Sequence, residues 1–112
     1  MRLEIKIQEI HDVVVIGLIG NLDSTTAPEA EAEINRWIEK NSKRIILNLY
    51  ETNYVSSAGL RIFLGSFKKM AAVGGSLKIC CARDVVKETL DISGFSKMLD
   101  IKLTQDEAMD EI

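Results

Sequence analysis

Residues 13–40 decide the fold, because the spacing of apolar residues changes within the stretch VVVIGLIGNLDSTTAPEAEAEINRWIEK. Val13 to Leu22 is almost wholly apolar, which predicts a buried β-strand. From Ala27 onward the apolar residues recur every three or four positions, which predicts an amphipathic helix. A buried strand leading into a helix is the repeating unit of α/β folds.

The start of this helix has two candidate N-caps. Thr26 and Glu29 have the spacing of a capping box, with Pro28 in the first turn, where proline is favoured. Because a residue before proline avoids helical backbone angles, Ala27 is the other candidate.

The flanking sequence continues the pattern. Upstream, Leu3, Ile5 and Ile7 alternate with polar residues, and His11-Asp12 predicts a turn, so the first two strands should form an antiparallel hairpin. Downstream we predict strands at 44–50, 76–82 and 99–103 and a polar loop after the first of these. A second helix has its apolar residues at helical spacing from Leu60 to Ala71 and ends at Gly74-Gly75, and a third has Val85 to Leu90 and ends at Gly94. The Thr104–Glu107 capping spacing opens a last helical turn or two.

The predicted order is β-β-α-β-α-β-α-β-α. Helix crossovers between strands give parallel pairing, so we expect an α/β fold with a mixed sheet. Its N-terminal hairpin is antiparallel, the later strands are parallel, and the helices pack mainly on one face. No linker divides the sequence, so residues 1–112 are expected to form a single domain.

Composition argues against several classes of function. With 14 basic and 17 acidic residues the net charge is -3, whereas nucleic-acid binding usually requires a basic excess. The longest apolar run, near Val13 to Ile19, is far shorter than the about 20 residues of a membrane span. Charges alternate at the N-terminus where a signal peptide is apolar. We therefore predict a cytoplasmic protein with no nucleic-acid partner and no membrane insertion.

Few residues suit catalysis or metal binding. The single histidine, His11, excludes sites that need two imidazoles. Cys80 and Cys81 are neighbours on a predicted strand, so their side chains should point to opposite faces and remain free thiols that pack rather than react. No catalytic residue, cofactor or metal site is predicted.

The serine pair in Val55-Ser56-Ser57-Ala58-Gly59 lies between a strand and a helix. It superficially resembles the G-x-S-x-G nucleophile elbow, but Val55 replaces the first glycine and His11 is the only available base. We therefore regard a serine hydrolase as a weak alternative. Two interpretations stay open: a serine that caps the helix, and a serine that is phosphorylated at a helix N-terminus, where free N–H groups accept an anion.

Several motifs in order resemble the STAS domain family, which includes the anti-sigma factor antagonists. These are Gly20-Asn21-Leu22-Asp23 followed by Ala27, Ile46-Leu47-Asn48-Leu49, Tyr54-Val55-Ser56-Ser57-Ala58-Gly59-Leu60, Gly74-Gly75-Ser76-Leu77, and Leu90-Asp91-Ile92-Ser93-Gly94-Phe95. Together they span nearly the whole chain.

This resemblance implies a partner-switching regulator of transcription. Unphosphorylated members bind an anti-sigma factor that is also a serine kinase, and so release the sigma factor. Phosphorylation ends the interaction, and a PP2C-type phosphatase restores it. By position the phosphorylated serine is Ser57, with Ser56 as the runner-up. The resemblance places a family acid at Asp23, and we expect the partner surface to comprise Asp23, Ser24, Thr25, Thr26, Ser56, Ser57, Ala58, Gly59 and Arg61.

Two positions depart from the family pattern. Ser56 and Asn48 stand where the family often has aspartate, which removes negative charge from the expected site. A second hypothesis therefore stays open: a constitutive STAS scaffold, or an accessory subunit of a transporter, that is never phosphorylated.

Overall fold

A computed structural model describes residues 3–112. In chain order its elements are β1 (Glu4–Ile10), β2 (Val13–Leu22), α1 (Ala27–Glu39), β3 (Arg44–Asn48), β4 (Thr52–Val55), α2 (Ser57–Ala72), β5 (Ser76–Cys80), α3 (Asp84–Ile92), α4 (Phe95–Met98), β6 (Ile101–Lys102) and α5 (Gln105–Glu111).

The sheet has the predicted mixed topology. β1 and β2 form an antiparallel hairpin whose turn, His11-Asp12, has positive φ angles of 48° and 68°. The neighbouring strands then follow in the order β1-β2-β3-β5-β6, and all pairs beyond the hairpin are parallel. The predicted antiparallel hairpin followed by parallel strands is confirmed.

The helices pack mainly on one face of this sheet, as predicted. Apolar side chains of β2, β3 and β5 alternate between two clusters, because successive residues of a strand point to opposite faces. The larger cluster joins Ile16, Leu47 and Ile79 to buried side chains of α1, α2 and α3. The smaller cluster lies on the opposite face, where α5 covers part of the sheet.

Three local predictions were wrong. The polar loop after β3 contains a fourth strand, β4, which pairs with the end of β2. The last strand is only Ile101–Lys102, and the short helix α4 precedes it. Thr26 is the N-cap of α1, but its hydroxyl caps no N–H of the helix and there is no capping box. The predicted capping box at Thr104 and Glu107 is confirmed.

Within residues 3–112, no helix has both the length and the apolar composition needed to cross a membrane.

Candidate functional site

The pairing of β4 with β2 brings together the two segments that contain the candidate site. Leu22, the last residue of β2, lies opposite Val55, the last residue of β4. The Ser56 N–H continues this ladder by donating a hydrogen bond to the Leu22 carbonyl oxygen at 2.8 Å. As a result, the turn after β2 and the first turn of α2 begin side by side at the same edge of the sheet.

The turn after β2, Asp23–Thr26, is closed by the side chain of its first residue. Asp23 Oδ1 accepts hydrogen bonds from the Thr25 N–H at 2.9 Å, the Thr25 hydroxyl at 2.7 Å and the Thr26 N–H at 3.2 Å. Aspartate commonly closes a turn in this way. The hydroxyl of buried Thr26 donates to the Asn21 carbonyl oxygen at 2.8 Å and accepts from the Asp23 N–H at 2.9 Å. Ser24 and Thr25 are held at the surface by this network.

These hydrogen bonds also set the charge of the turn. The hydrogen bond from the Thr25 hydroxyl is the largest of several that lower the pKa of the Asp23 carboxyl below its ordinary value. Because hydrogen bonds to a carboxylate favour its ionised form, Asp23 carries a negative charge at neutral pH.

The two serines differ in their roles. Ser56 is the N-cap of α2, with extended backbone angles (φ -86°, ψ 177°), and its Oγ accepts a hydrogen bond from the Gly59 N–H at 3.4 Å. The capping interpretation is therefore confirmed for Ser56. Ser57 is the first residue of the helix and is exposed. A side chain at the first position of a helix lies near its unpaired N–H groups and the positive end of its dipole.

A shallow hollow of about 340 Å³ joins the N-terminal ends of α1 and α2. Its lining residues are Ser24, Ala27, Pro28, Glu31, Ala58, Arg61 and Ile62. Three of the predicted partner-binding residues, Ser24, Ala58 and Arg61, therefore share one surface. Glu31 was not among the predicted residues, although its position one helical turn after Ala27 places it on the same side of α1.

Two predicted partner-binding residues are buried, which corrects part of the expected surface. Thr26 is 5% exposed. Gly59 lies on the face of α2 that is buried against the strands. A Cβ added at Gly59 would lie 2.9 Å from side-chain atoms of Leu22 and Val55. These residues therefore position the surface from below, whereas Ser24, Thr25, Ser57 and Arg61 are exposed on it.

Two residues singled out in the sequence, His11 and Asn48, lie away from the serine pair. His11 lies in the turn before β2 and the serines lie beyond its other end, so ten strand residues, or about 30 Å, separate them. His11 therefore cannot activate either serine. Asn48 donates from its side-chain amide to Gln105 Oε1 at 2.8 Å and accepts from the Tyr50 N–H at 2.9 Å. Its hydrogen bonds connect β3 with α5.

With this geometry in place, comparison with known proteins identifies the family. Residues 4–108 match the model of the STAS domain. The chain belongs to the STAS domain family. An anti-sigma F factor antagonist from Paenibacillus polymyxa is 27% identical over 113 residues, covering 100% of this chain and 97% of the relative.

Solved structures share the fold of this STAS protein. An anti-sigma factor antagonist from Mycobacterium paratuberculosis has a TM-score of 0.91 at 18% identity, covering 98% of this chain and 93% of the other. The Bacillus cell fate determinant SpoIIAA in its phosphorylated form has a TM-score of 0.72 at 24% identity, covering 96% of this chain and 98% of the other. The mixed sheet and its helices are therefore those of STAS structures.

Proposed function

We propose that this STAS protein is an anti-sigma factor antagonist whose binding to an anti-sigma factor is ended by phosphorylation of Ser57. The observation that carries the proposal is the exposed Ser57 at the first position of α2, beside the ordered Asp23–Thr26 turn. The Paenibacillus relative, named an anti-sigma F factor antagonist and matched along the whole chain, supports the same partner class. SpoIIAA, a structural neighbour, has been solved in a phosphorylated form.

The local structure suits Ser57 better than Ser56 as the phosphate acceptor. The Ser56 hydroxyl is committed to the cap of α2, and Ser56 is only partly exposed. A phosphate on Ser57 would lie at the N-terminus of a 16-residue helix, where free N–H groups and the dipole stabilise an anion. The modified protein should therefore keep its fold, and the effect should fall on the partner.

Charge provides the switch in this proposal. A phosphoserine adds about -1.5 to -2 charges at neutral pH. The addition falls on a surface that already has the ionised Asp23 and the Glu31 carboxyl. Where the anti-sigma factor places an acidic or desolvated surface against Ser57, this added charge lowers its affinity. A 100- to 1,000-fold loss corresponds to about 2.7–4.1 kcal/mol, which like-charge contact across an interface can supply.

The test compares serine variants that differ in one hydroxyl. The wild type, Ser57→Ala and Ser56→Ala are incubated with the cognate anti-sigma factor kinase and Mg-ATP, and phosphate is located by peptide mass spectrometry. We expect one phosphate on Ser57 in the wild type and in Ser56→Ala, and none in Ser57→Ala. Ser56→Ala should lose only its cap, about 1 kcal/mol of stability. A PP2C-type phosphatase should then remove the phosphate and restore binding.

Binding is measured separately by titrating the unphosphorylated and phosphorylated proteins with the anti-sigma factor. We expect the unphosphorylated wild type and Ser57→Ala to bind alike, and the phosphorylated protein to bind at least about 100-fold more weakly. Phosphate on Ser56 instead of Ser57 would contradict the site. Tight binding with no phosphate on either serine would favour a constitutive scaffold, and recovery of the protein with a transporter complex would favour an accessory subunit.

A further inference from the structure

The two cysteines lie side by side, contrary to the prediction that they point apart. Cys80 is the last residue of β5, and the strand ends there because Cys81 has a left-handed backbone with φ of 66°. Positive φ is uncommon for residues other than glycine. The left-handed turn brings Cys81 Sγ to 3.4 Å from Cys80 Sγ. Side chains alternate between faces only while both residues lie on the strand, and Cys81 lies beyond its end.

The two thiols have different access to solvent. Cys80 is fully buried in the cluster between the sheet and α5, with Val13, Ile46 and Ala108. Its burial, the largest cause, and the neighbouring Cys81 thiol strongly raise the pKa of Cys80, which keeps it a protonated thiol. Cys81 is only partly buried and lies at the wall of a groove.

The groove is separate from the surface proposed for the partner. It has a volume of about 400 Å³ and lies over the face of β1 and β2 that α5 leaves open. The polar residues beside Cys81 in its lining are Lys6, Gln8, Asn48, Tyr50, Glu51 and Gln105. None of them belongs to the Asp23–Thr26 turn or to the first turn of α2. A small, water-soluble reagent entering the groove therefore meets Cys81 and does not directly reach Cys80.

We propose that Cys80 and Cys81 form a reversible oxidation site, in which a hydroperoxide oxidises Cys81 and Cys80 closes a disulfide with it. In the first step Cys81 Sγ attacks the peroxide, the O–O bond breaks, and Cys81 becomes a sulfenic acid with release of water or an alcohol. In the second step Cys80 Sγ attacks Cys81 Sγ, the S–O bond of the sulfenic acid breaks as the S–S bond forms, and the hydroxyl leaves as water with the proton of the Cys80 thiol. Two thiols are oxidised by two electrons, and one peroxide is reduced.

The geometry favours this outcome over irreversible oxidation. A sulfenic acid without a nearby thiol proceeds to sulfinic acid. Here the second sulfur is already in contact and has to move by about 1.4 Å to reach bonding distance. The neighbouring Cα atoms are about 3.8 Å apart, closer than in most disulfides, so a dithiol should reduce the bond readily. Within residues 3–112, no group of three or more metal-ligating His, Cys, Asp or Glu side chains competes for these sulfurs.

The test follows the thiols of the whole protein after treatment with hydrogen peroxide. Samples are unfolded in urea that contains iodoacetamide, which alkylates the free thiols. The masses of the intact proteins and of their peptides are then compared. We expect wild type to lose two hydrogen atoms in mass, to be blocked to alkylation at both cysteines, and to recover both thiols in dithiothreitol. Two single variants separate the roles of the sulfurs. Cys80→Ser should form a sulfenic acid on Cys81 that dimedone traps and that, without dimedone, proceeds to sulfinic acid. Cys81→Ser should oxidise about tenfold more slowly than wild type, because its remaining thiol is buried.

Three results would overturn the proposal: sulfinic acid in wild type at the rate seen in Cys80→Ser, a disulfide-linked dimer through Cys81, or no loss of alkylation in wild type. Because Cys80 is part of a packed cluster, Cys80→Ala serves as a second variant if Cys80→Ser unfolds. Circular dichroism of each oxidised sample checks that the chain is folded when the reaction is measured.

Discussion

At the scale of single residues, the position of the serine pair depends on a residue that has no side chain. Gly59 lies in the first turn of α2, where its backbone N–H faces Ser56 Oγ and its Cα lies against β2 and β4. A Cβ there would lie 2.9 Å from Leu22 Cγ and from Val55 Cγ1. These two side chains are buried and hold the ends of the strands from which the candidate site begins.

Gly59→Ala should therefore destabilise the protein. Overpacking a core lowers stability by about 1–3 kcal/mol, whereas the higher helix propensity of alanine raises it by about 1 kcal/mol. We expect a net loss of up to about 2 kcal/mol in the free energy of unfolding, measured by urea denaturation. Relief of the contact requires α2 to move outward, so affinity for the anti-sigma factor should also fall.

Gly65→Ala is the matched control on the same helix. A Cβ at Gly65 has no atom within 4 Å, so the substitution changes stability only through the higher helix propensity of alanine. We expect stability to rise by up to about 1 kcal/mol with binding unchanged. If both variants shift stability in the same direction and by the same amount, close packing at Gly59 is not what positions α2.

At the scale of secondary-structure elements, the long and regular ones were predictable from sequence. β2 is continuously apolar and α2 repeats its apolar residues at helical spacing, so each residue pattern identifies one type of element. β4 was missed because it has four residues with only its first and last buried, which is not the alternation of a half-buried strand. Its pairing with β2 is a tertiary contact that no local pattern contains.

The candidate site was predictable to the same extent. The family resemblance grouped residues of Asp23–Thr26 with residues of Ser56–Arg61 on one expected surface, and the hydrogen bond between Ser56 and Leu22 shows that the two segments begin side by side. The resemblance did not show that Thr26 and Gly59 face inward. The arrangement of Cys80 and Cys81 was also missed, since it depends on one positive φ angle at the end of β5.

A chain of charges joins three elements at the far edge of the sheet. Lys78 of β5 is buried, with a side chain 7% exposed, and is paired with Asp100, which precedes β6. Asp100 also pairs with Lys102 at 3.4 Å, and Lys102 pairs with Glu111 of α5 at 2.8 Å. Partial burial alone would raise the pKa of Asp100, but Lys78 and Lys102 together lower it below its ordinary value.

Asp100→Asn should destabilise the protein because it leaves the Lys78 ammonium buried without its anion. Removing one partner of a fully buried pair costs about 3–5 kcal/mol; since Asp100 is partly exposed, we expect about 1–3 kcal/mol at pH 7. The pKa of Asp100 is lowered in the folded state, so its contribution is present above the ordinary carboxyl pKa of about 3.9. This contribution is lost as the pH falls through the lowered pKa.

The measurement is urea denaturation of wild type and Asp100→Asn between pH 7 and pH 2.5. The difference in unfolding free energy should shrink as the pH falls below about 4. Glu88→Gln, which changes an exposed carboxylate on α3, is the control and should differ little from wild type throughout. A difference for Asp100→Asn that does not change with pH would show that shape, rather than charge, accounts for the loss.

At the scale of the whole molecule, the sheet divides the protein into two unequal halves. One face has the larger cluster and four helices, α1 to α4, and includes the proposed partner surface. The other face has a smaller cluster that α5 covers mainly through Ala108, which is fully buried against Val13, Val15, Ile46 and Cys80. A helix of seven residues is too short to be stable alone, so α5 depends on this contact.

Ala108→Asp should therefore detach α5 while leaving the opposite face folded. A carboxylate at this position would be buried among apolar side chains, which is costly unless the helix moves away. We expect the backbone amides of α5 to exchange with solvent at least about tenfold faster in native-state hydrogen exchange, with those of α1 and α2 keeping their protection. Binding of the anti-sigma factor should be retained, since its proposed surface lies on the other face.

Asp110→Ala, on the exposed side of α5, is the matched control and should leave exchange nearly unchanged. Equal loss of protection in α2 and α5 would mean that the two faces unfold as one cooperative unit.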